Sequence, residues 1–230
     1  MNTKTPTLRR DRSRQAAPQV LEHLRERVLS LDLAPGTVLS RSELAEQYGL
    51  SQTPIRDALM RLGEEGLVDI FPQHATVVSR IDVAAAVQAH FLRRSIECEI
   101  ARVLAGQADA PLLARLRAQV DLQAALMGAD SYREFIEADR GFHRLMYEAA
   151  GVPELFELVR RRSGHVDRLR LLHLPTAGKE RQILRDHKRI VEAIAGGDPE
   201  AAQAAVRDHL SGTLAQVDAI RRSHPDYLSA

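Results

Sequence analysis

The sequence predicts a mostly α-helical protein in which one β-hairpin interrupts an otherwise helical chain. Apolar residues recur at helical spacing through most of the chain, whereas "LVDIF" and "ATVVS", separated by "PQH", read as two short strands. The composition agrees, because 44% of the residues are hydrophobic while only 4% are aromatic and none is Trp. These proportions favour an aliphatic, helical interior rich in Leu and Ala.

Composition and charge exclude several classes of protein. The formal net charge is +1, so no global field indicates a nucleic acid or a membrane as partner. The single cysteine, Cys98, excludes an internal disulfide and fits a reducing cytoplasm, which is the predicted location. The N-terminus lacks the apolar core of a signal peptide, and no run of about 18 apolar residues predicts a transmembrane helix. We therefore expect no membrane partner.

Residues 16–80 are predicted to form a domain of three helices followed by the hairpin. The first helix ends before "LAPG". Ser40, in an S-x-x-E capping box, begins the second helix, and Gly49 ends it. Ser51 can cap the third helix, which runs to Glu65 with apolar residues at i, i+3, i+4 and i+7. Three helices with a tight turn between the last two, followed by a hairpin, form a winged helix-turn-helix.

Two further regions flank this domain. Residues 1–15 carry five basic residues and one acidic residue, which predicts a disordered, solvated tail or a flexible basic arm that meets phosphates. Strand signals end near Ile81, and residues 81–230 are predicted to form an all-α domain. Gly and Pro punctuation divides this domain into six helices, a six-helix bundle, at residues 82–106, 110–127, 131–150, 153–173, 178–196 and 199–222.

The start of the third helix, "LSQTPIRDAL", is polar where a core pattern would be apolar. In a helix-turn-helix this part enters the DNA major groove. Gln52 and Arg56 share an outward face flanked by Thr53, and these side chains can bond adenine, guanine and a phosphate or thymine methyl. Pro54 is tolerated because first-turn amides have no intrahelical acceptor, and Ser51 can offer its hydroxyl and free amides to a phosphate. An ordinary solvated face explains the same pattern, so both interpretations stay open here.

The stretch "ELAEQYGLSQTPIRDALMRLGEEGLVDIFPQ" resembles the GntR family of bacterial transcription regulators. It parallels that family's order of E-L-A, a small turn, S-R-T-P-V-R-E-A-L, R-L and E-G-L-V before a wing. The following helical domain resembles the FCD effector domain of the FadR branch, and the count of six helices favours the VanR-like six-helix group over the seven-helix group. The resemblance implies a regulator that binds double-stranded DNA, and not an enzyme.

The resemblance also implies DNA contacts, position by position. Thr53 and Arg56 match DNA-contacting positions, and Ser51 matches a small hydroxyl. Gln52 stands where the family usually has Arg, which implies a preference for adenine in place of guanine. Ser42 and His74 stand where the family usually has other residues, and Arg41 is next to Ser42. These three residues are further candidates for DNA contacts.

The charge of the DNA-binding module leaves two sources of affinity for DNA: the basic residues of the first helix and the arm, or the formation of a dimer. Residues 41–80 contain four arginines and six acidic residues, whereas a DNA-binding module usually has a basic footprint. Two copies would double the contacts, and half-sites follow the symmetry of the protein. We therefore expect a homodimer on a palindromic operator.

The helical domain contains a candidate metal site. Asp139 and His143 lie four residues apart on one helix face, and His187 and His209 follow on two later helices. Taken alone, such a pair is usually a surface or hydrogen-bonded pair, and the chain has nine histidines. The resemblance favours a metal, because many FCD domains bind one through a D-x-x-x-H pair and two later histidines. One carboxylate and three imidazoles suit a divalent ion, zinc or nickel before cobalt.

Arg93, in "FLRRSIECE", matches an Arg that the family often has in its first effector-domain helix. It could fork onto a small carboxylate effector at the metal, which would modulate DNA affinity, or form a salt bridge with Glu97. A direct metal sensor is a second hypothesis for the domain. A mononuclear metal hydrolase is a third, but the chain lacks H-E-x-x-H, G-x-S-x-G and a phosphate-cradling loop, and this hypothesis gives residues 40–79 no purpose.

Overall fold

The computed structural model describes residues 11, 13–72, 74–128 and 132–229, and it confirms the predicted fold class. Most of the predicted basic arm, residues 1–10 and 12, lies outside the described residues. The elements before residue 82 are α1 (Ala16–Leu29), β1 (Val38–Leu39), α2 (Arg41–Tyr48), α3 (Gln52–Glu64), β2 (Val68–Phe71) and β3 (Ala75–Val78). The later elements are α4 (Val83–Gln107), α5 (Ala110–Ala125), α6 (Tyr132–Ala149), α7 (Pro153–Arg162), α8 (Gly164–His173), α9 (Lys179–Ala195), α10 (Pro199–Ser211), a 3-10 helix (Leu214–Gln216) and α11 (Val217–Ser223).

The chain divides into two compact units. The first contains the described residues up to Asp82 together with the C-terminal segment from His224, and the second is Val83–Ser223. From the sequence we predicted the domain boundary between residues 80 and 81 and assigned all later residues to the helical domain. The domain boundaries 16–80 and 81–230 stay predictions. The compact units differ from these boundaries at the C-terminal segment, which belongs to the first unit.

The C-terminal segment pairs with Ile81 inside the first unit. The Ile81 N–H donates to the carbonyl of Tyr227 at 2.7 Å, and the Ser229 N–H donates to the carbonyl of Ile81 at 3.0 Å. Ile81 and Leu228, which form this isolated parallel bridge, are both buried. A single bridge has no periodicity, so the sequence pattern contains no signal for it.

Helix ends in the first unit follow the predicted capping chemistry. The Ser40 hydroxyl accepts the N–H of Glu43 at 3.3 Å, and Gly49 ends α2 with a φ of 60°. Gly66 has a φ of 72° after α3, a conformation in which a side chain would be strained. Ser51 is the N-cap residue of α3, but its side chain makes no capping bond to the described amides. The N-cap position was predicted correctly, but the predicted side-chain cap does not form among the described residues.

The predicted hairpin is part of a three-stranded antiparallel sheet with the strand order β1-β3-β2. β2 pairs with β3 from Val68 opposite Val78 to Phe71 opposite Ala75. β1 covers the other edge of β3 with two residues, of which Leu39 is buried. The sequence did not predict β1, because two residues are too few to show the alternation of a strand.

The core of the first unit lies between α1 and α3. The apolar residues that α3 contributes to this core are the predicted ones, at i, i+3, i+4 and i+7. They pack against the apolar face of α1 and against strand residues. The ion pair of Arg25 with Glu65 joins α1 to the end of α3, and both side chains are nearly buried. The fully or nearly fully enclosed side chains of this core include Val20, Leu24, Val28, Ile55, Leu59 and Leu62. The opposite face of α3 is therefore left to solvent or to a partner.

Ile55→Ala is expected to lower the free energy of unfolding by about 2–5 kcal/mol, because truncation leaves a cavity in a packed core. Ile55 is 0% exposed. Met60→Ala on the same helix is the control; Met60 is 52% exposed and its truncation should cost less than about 0.5 kcal/mol. Urea unfolding followed by circular dichroism measures both values. Equal losses for the two variants would contradict this core.

Two of the helices predicted for the second unit are each divided. The segment 153–173 becomes α7 and α8, separated at Ser163, whose hydroxyl donates to the carbonyl of Val159 at 2.8 Å. The segment 199–222 becomes α10, a 3-10 helix and α11, with Gly212 at the end of α10. Residues 83–128 and 132–223 thus form eight α-helices, so the predicted count of six was too low. A helix count therefore does not distinguish the six-helix group from the seven-helix group.

The core of the second unit is formed where α4, α5, α6, α9 and α10 meet. α4 packs against α6, α8, α9 and α10, and α5 packs against α6 and α9. Among the residues that the structure describes, no helix is long and apolar enough to cross a membrane. The apolar side chains of this core include Leu104, Leu116, Phe142, Ile190 and Val206. Polar side chains enclosed beside them form the second candidate site.

Candidate DNA-binding surface and metal centre

A groove of about 470 Å³ runs between the outward face of α3 and the sheet. α2 contributes residues from its first turn, α3 contributes residues one helical turn apart, and the turn between β2 and β3 contributes Pro72 and His74. The predicted DNA-contacting residues that line the groove are Arg41, Ser42, Gln52, Arg56 and His74. The predicted residues outside its lining, at the start of α3, are Ser51, Thr53 and Pro54.

The polar residues at the start of α3 face away from the core. Gln52, Thr53 and Arg56 are exposed, so nothing in the first unit encloses them. Arg56 Nη2 lies 3.4 Å from Asp57 Oδ1 in a pair that is half exposed. Exposed pairs of this kind contribute little free energy, so the guanidinium can leave it for a base or a phosphate. The face has the exposure that docking into a groove of DNA requires.

Apolar side chains also line the groove, and the sequence analysis missed them. Val38, Met60, Ile70 and Phe71 are exposed on this surface. Met60 continues the spacing of Gln52 and Arg56 along α3, so the pattern contained a signal for it. Apolar side chains can contact the methyl group of thymine, so the surface offers both polar and apolar contacts to base edges.

The four predicted metal ligands meet in one cluster, although they come from three helices. α6 carries two of them, and α9 and α10 carry one each. One donor atom of each residue lies within 4.8 Å of the others. The Nε2 atom of His209 lies 3.3 Å from the Nε2 atoms of both other histidines. The exposed fractions are 2% for Asp139, 2% for His143, 0% for His187 and 9% for His209.

The donor atoms of the cluster fit a divalent metal ion. Asp139 Oδ1 is buried, lies 3.6 Å from the Nε2 atom of His187, and makes no hydrogen bond to any residue that the structure describes. The other oxygen, Oδ2, accepts from Arg170 Nη2 at 2.6 Å. A buried oxygen that faces imidazole nitrogens is positioned as a metal ligand would be. One carboxylate and three imidazoles suit zinc or nickel.

The protonation states also suit a metal ion. Burial lowers the pKa of His187 well below its usual range, and the nearby His209 lowers it further. Burial also lowers the pKa of His209. Burial alone would raise the pKa of Asp139, but the surrounding charges, Arg170 first among them, together outweigh burial and hold this pKa well below the usual range. At neutral pH the cluster therefore offers two neutral imidazoles and a carboxylate, the forms that bind metal.

Each histidine of the cluster directs its second ring nitrogen to a different residue. Metal-binding imidazoles usually have such a partner, which fixes the tautomer and the orientation of the ring. These partners were not predicted, because they lie on other helices and are far away in the sequence. His187 Nδ1 is hydrogen-bonded to Gln123 Oε1 at 2.8 Å. His143 Nδ1 lies 3.0 Å from Glu97 Oε2 and His209 Nδ1 lies 3.8 Å from Asp186 Oδ2, but neither nitrogen is hydrogen-bonded to a residue that the structure describes.

Arg93 forms the predicted salt bridge. Its Nε donates to Glu97 Oε1 at 2.7 Å, and both side chains are buried. Burial alone would raise the pKa of Glu97, but Arg93 and His143 outweigh it and lower this pKa, so the pair is ionised. Arg93 also lines a cavity of about 40 Å³, together with Asp139 and Arg170. The effector contact of Arg93 stays a prediction, and Arg170 is a second cationic candidate that the sequence analysis missed.

The fold and the surfaces define a class of protein, a DNA-binding regulator with a winged helix-turn-helix and a helical second domain. Residues 16–78 match the gntR family of bacterial regulatory proteins, and residues 88–212 match the FCD domain. The chain therefore belongs to the GntR family of bacterial transcription regulators and carries an FCD domain. Its family members are regulators and not enzymes, as predicted.

Individual relatives agree with this assignment. An HTH-type transcriptional regulator in an unstable DNA locus of Streptomyces ambofaciens is 34% identical over 203 residues, which cover 88% of this chain and 85% of the relative. The HTH-type transcriptional repressor RspR of Escherichia coli K12 is 28% identical over 211 residues, 92% of each chain. The solved structure of E. coli McbR/YncC has a TM-score of 0.74 at 20% identity and covers 92% of this chain and 99% of its own, which shows a shared fold.

Proposed function

We propose that this regulator acts in the cytoplasm and binds a palindromic operator as a homodimer. A small carboxylate metabolite at a metal centre in the FCD domain modulates its affinity for DNA. The observation that carries this proposal is the enclosed cluster of one carboxylate and three imidazoles, in which a buried carboxylate oxygen has no hydrogen-bond partner among the described residues. Membership in the GntR family supports the DNA-binding half.

The DNA-binding half of the proposal assigns roles by position on the surface. Gln52 and Arg56 reach base edges from α3, because they are exposed and one helical turn apart on the wall of the groove. Ser51 and Thr53 contact the phosphate backbone at the helix start, which Pro54 stiffens. The flanking contacts come from Arg41, Ser42 and His74.

The effector half of the proposal uses the charges around the small cavity. Arg93 and Arg170 line it beside Asp139, and a guanidinium binds carboxylates through paired hydrogen bonds. Asp139, His143, His187 and His209 hold the ion, which supplies a Lewis-acidic anchor for the effector when bound. An effector that contacts α4, α6 and α8 at once favours one arrangement of these helices and so shifts the population of DNA-binding dimers.

A direct metal sensor is the second candidate function, and the size of the cavity favours it. A volume of about 40 Å³ is room for only a few water molecules, since one water needs roughly 10–15 Å³ of such space. A cavity of this size accepts a small acid only if the surrounding side chains move. If the ion alone changes DNA binding, the cluster itself is the sensor and no organic effector is required.

Operator binding under controlled metal and carboxylate concentrations distinguishes the two candidates. An operator duplex would be selected from a random DNA library and its affinity measured by fluorescence anisotropy, first for metal-free protein, then with zinc or nickel. Acetate, pyruvate and malate would be added next at fixed metal. We expect a carboxylate to change the affinity about 5-fold to 150-fold. A change with metal alone supports the sensor, and no change with either contradicts both.

A further inference from the structure

We propose that Gln123 of α5 is a positioning residue for the metal centre, which orients His187 and fixes its tautomer. Gln123 is not one of the four ligands, and α5 contributes none of them. This inference rests on the proposed metal centre. It extends the site to a helix that carries none of the predicted ligands and identifies a residue that controls metal affinity without contacting the ion.

The hydrogen bond between the two side chains determines the position of the proton on His187. Nδ1 of His187 lies 2.8 Å from Oε1 of Gln123. An amide oxygen can only accept, so the proton must be on Nδ1. A neutral imidazole carries one N–H, so Nε2 has a free lone pair, and it points towards His209 Nε2 at 3.3 Å and Asp139 Oδ1 at 3.6 Å.

Among the residues that the structure describes, only Gln123 is hydrogen-bonded to Nδ1 of His187. Gln123 and His187 are both 0% exposed, so bulk water does not reach either side chain. The ring of Phe142 stacks on the ring of His187, with centroids 4.2 Å apart and an angle of 18° between the planes. Stacking fixes the plane of the imidazole but does not select which nitrogen carries the proton. That choice falls to Gln123.

The amide nitrogen of the Gln123 side chain lowers the stability of the folded protein. This nitrogen, Nε2, is buried and has no hydrogen-bond partner within the part of the chain that the structure describes. A buried donor without a partner destabilises the folded protein, and an apolar side chain of similar size would avoid this loss. The same apolar side chain would leave the Nδ1–H of His187 without its acceptor, so the two effects on the metal-free fold offset each other.

Gln123→Leu is expected to weaken zinc binding about 10-fold to 100-fold, the usual effect of losing such a partner. The metal-free variant should melt near the temperature of the parent, because removal of the unpaired amide donor offsets the loss of the acceptor of the His187 N–H. Gln123→Glu restores an acceptor oxygen and should keep the parent affinity or exceed it. A residue that only fills space would leave the zinc affinity of Gln123→Leu at the value of the parent, because Leu has a similar size, and Glu would then have no loss to restore.

Three measurements on the full chain test the proposal: zinc affinity by competition with a chromophoric chelator, the visible spectrum of the Co²⁺-loaded protein, and thermal denaturation without metal. Gln119→Leu, one turn earlier on α5, is the matched control and should keep the parent affinity; the oxygen of Gln119 faces Gly141. A parent that binds no metal would contradict the proposed function. A parent that binds metal while Gln123→Leu matches its affinity and Co²⁺ spectrum would overturn this inference alone, as would equal losses in the Leu and Glu variants.

Discussion

The double variant His187→Ala/His209→Ala is expected to lose its bound metal. Two of the four donor residues disappear, and their Nε2 atoms lie 3.3 Å apart in the centre of the cluster. The remaining Asp139 and His143 form a two-ligand site, which is too weak to hold zinc or nickel through dialysis, since stable zinc sites have three or four protein ligands. Elemental analysis of the purified protein measures the loss directly.

His90→Ala is the control for this variant, because it removes an imidazole that is outside the cluster. It should retain the metal content of the parent. Circular dichroism of the double variant should show the same helix content as the parent, so that loss of metal is separated from loss of the fold. Equal metal content in the parent and the double variant would show that these four residues are not the ligands.

Arg56→Ala is expected to weaken operator binding about 10-fold to 100-fold, which corresponds to the roughly 1–3 kcal/mol of a good base contact. Arg56 is exposed, lines the groove and lies one turn after Gln52 on α3. The loss should be larger at an operator with guanine at the contacted position than at one with another base there. Fluorescence anisotropy with duplexes that differ at single positions measures both effects.

Arg61→Ala is the matched control, since Arg61 is also exposed on α3 but lies in the last turn and outside the groove. Its removal changes the net charge by the same amount. A weaker effect that is equal for all sequences is expected, because a distant charge contributes only to the general attraction of DNA. Equal losses in the two variants would mean that Arg56 contributes charge and does not read bases.

Local chemistry explains why much of the first unit could be predicted. Ser40, Gly49 and Gly66 mark helix ends through bonds and backbone angles within a few residues, and the apolar stripe of α3 has a helical period. β1 depends on pairing with a strand far along the chain, so two residues contain no signal for it. The same holds for the bridge at Ile81.

The metal cluster shows the same difference between local and distant signals. Asp139 and His143 share a helix face by spacing, while His187 and His209 were predicted through resemblance to FCD domains. Gln123 is 64 residues from its partner His187, and no motif connects them. The features missed around the site are Gln123, Arg170 and the contact of Glu97 with His143, and all three depend on packing between helices. Packing of this kind leaves no periodic pattern in one sequence.

The most direct test of the account is the operator affinity of the parent and of His187→Ala/His209→Ala, each with zinc, with zinc and a carboxylate, and with a chelator. We expect the parent to change its affinity about fivefold or more among these conditions. The double variant should bind the operator with one constant affinity in all of them. A parent whose affinity is the same in every condition, or a double variant that responds as the parent does, would contradict control of DNA binding by this metal centre.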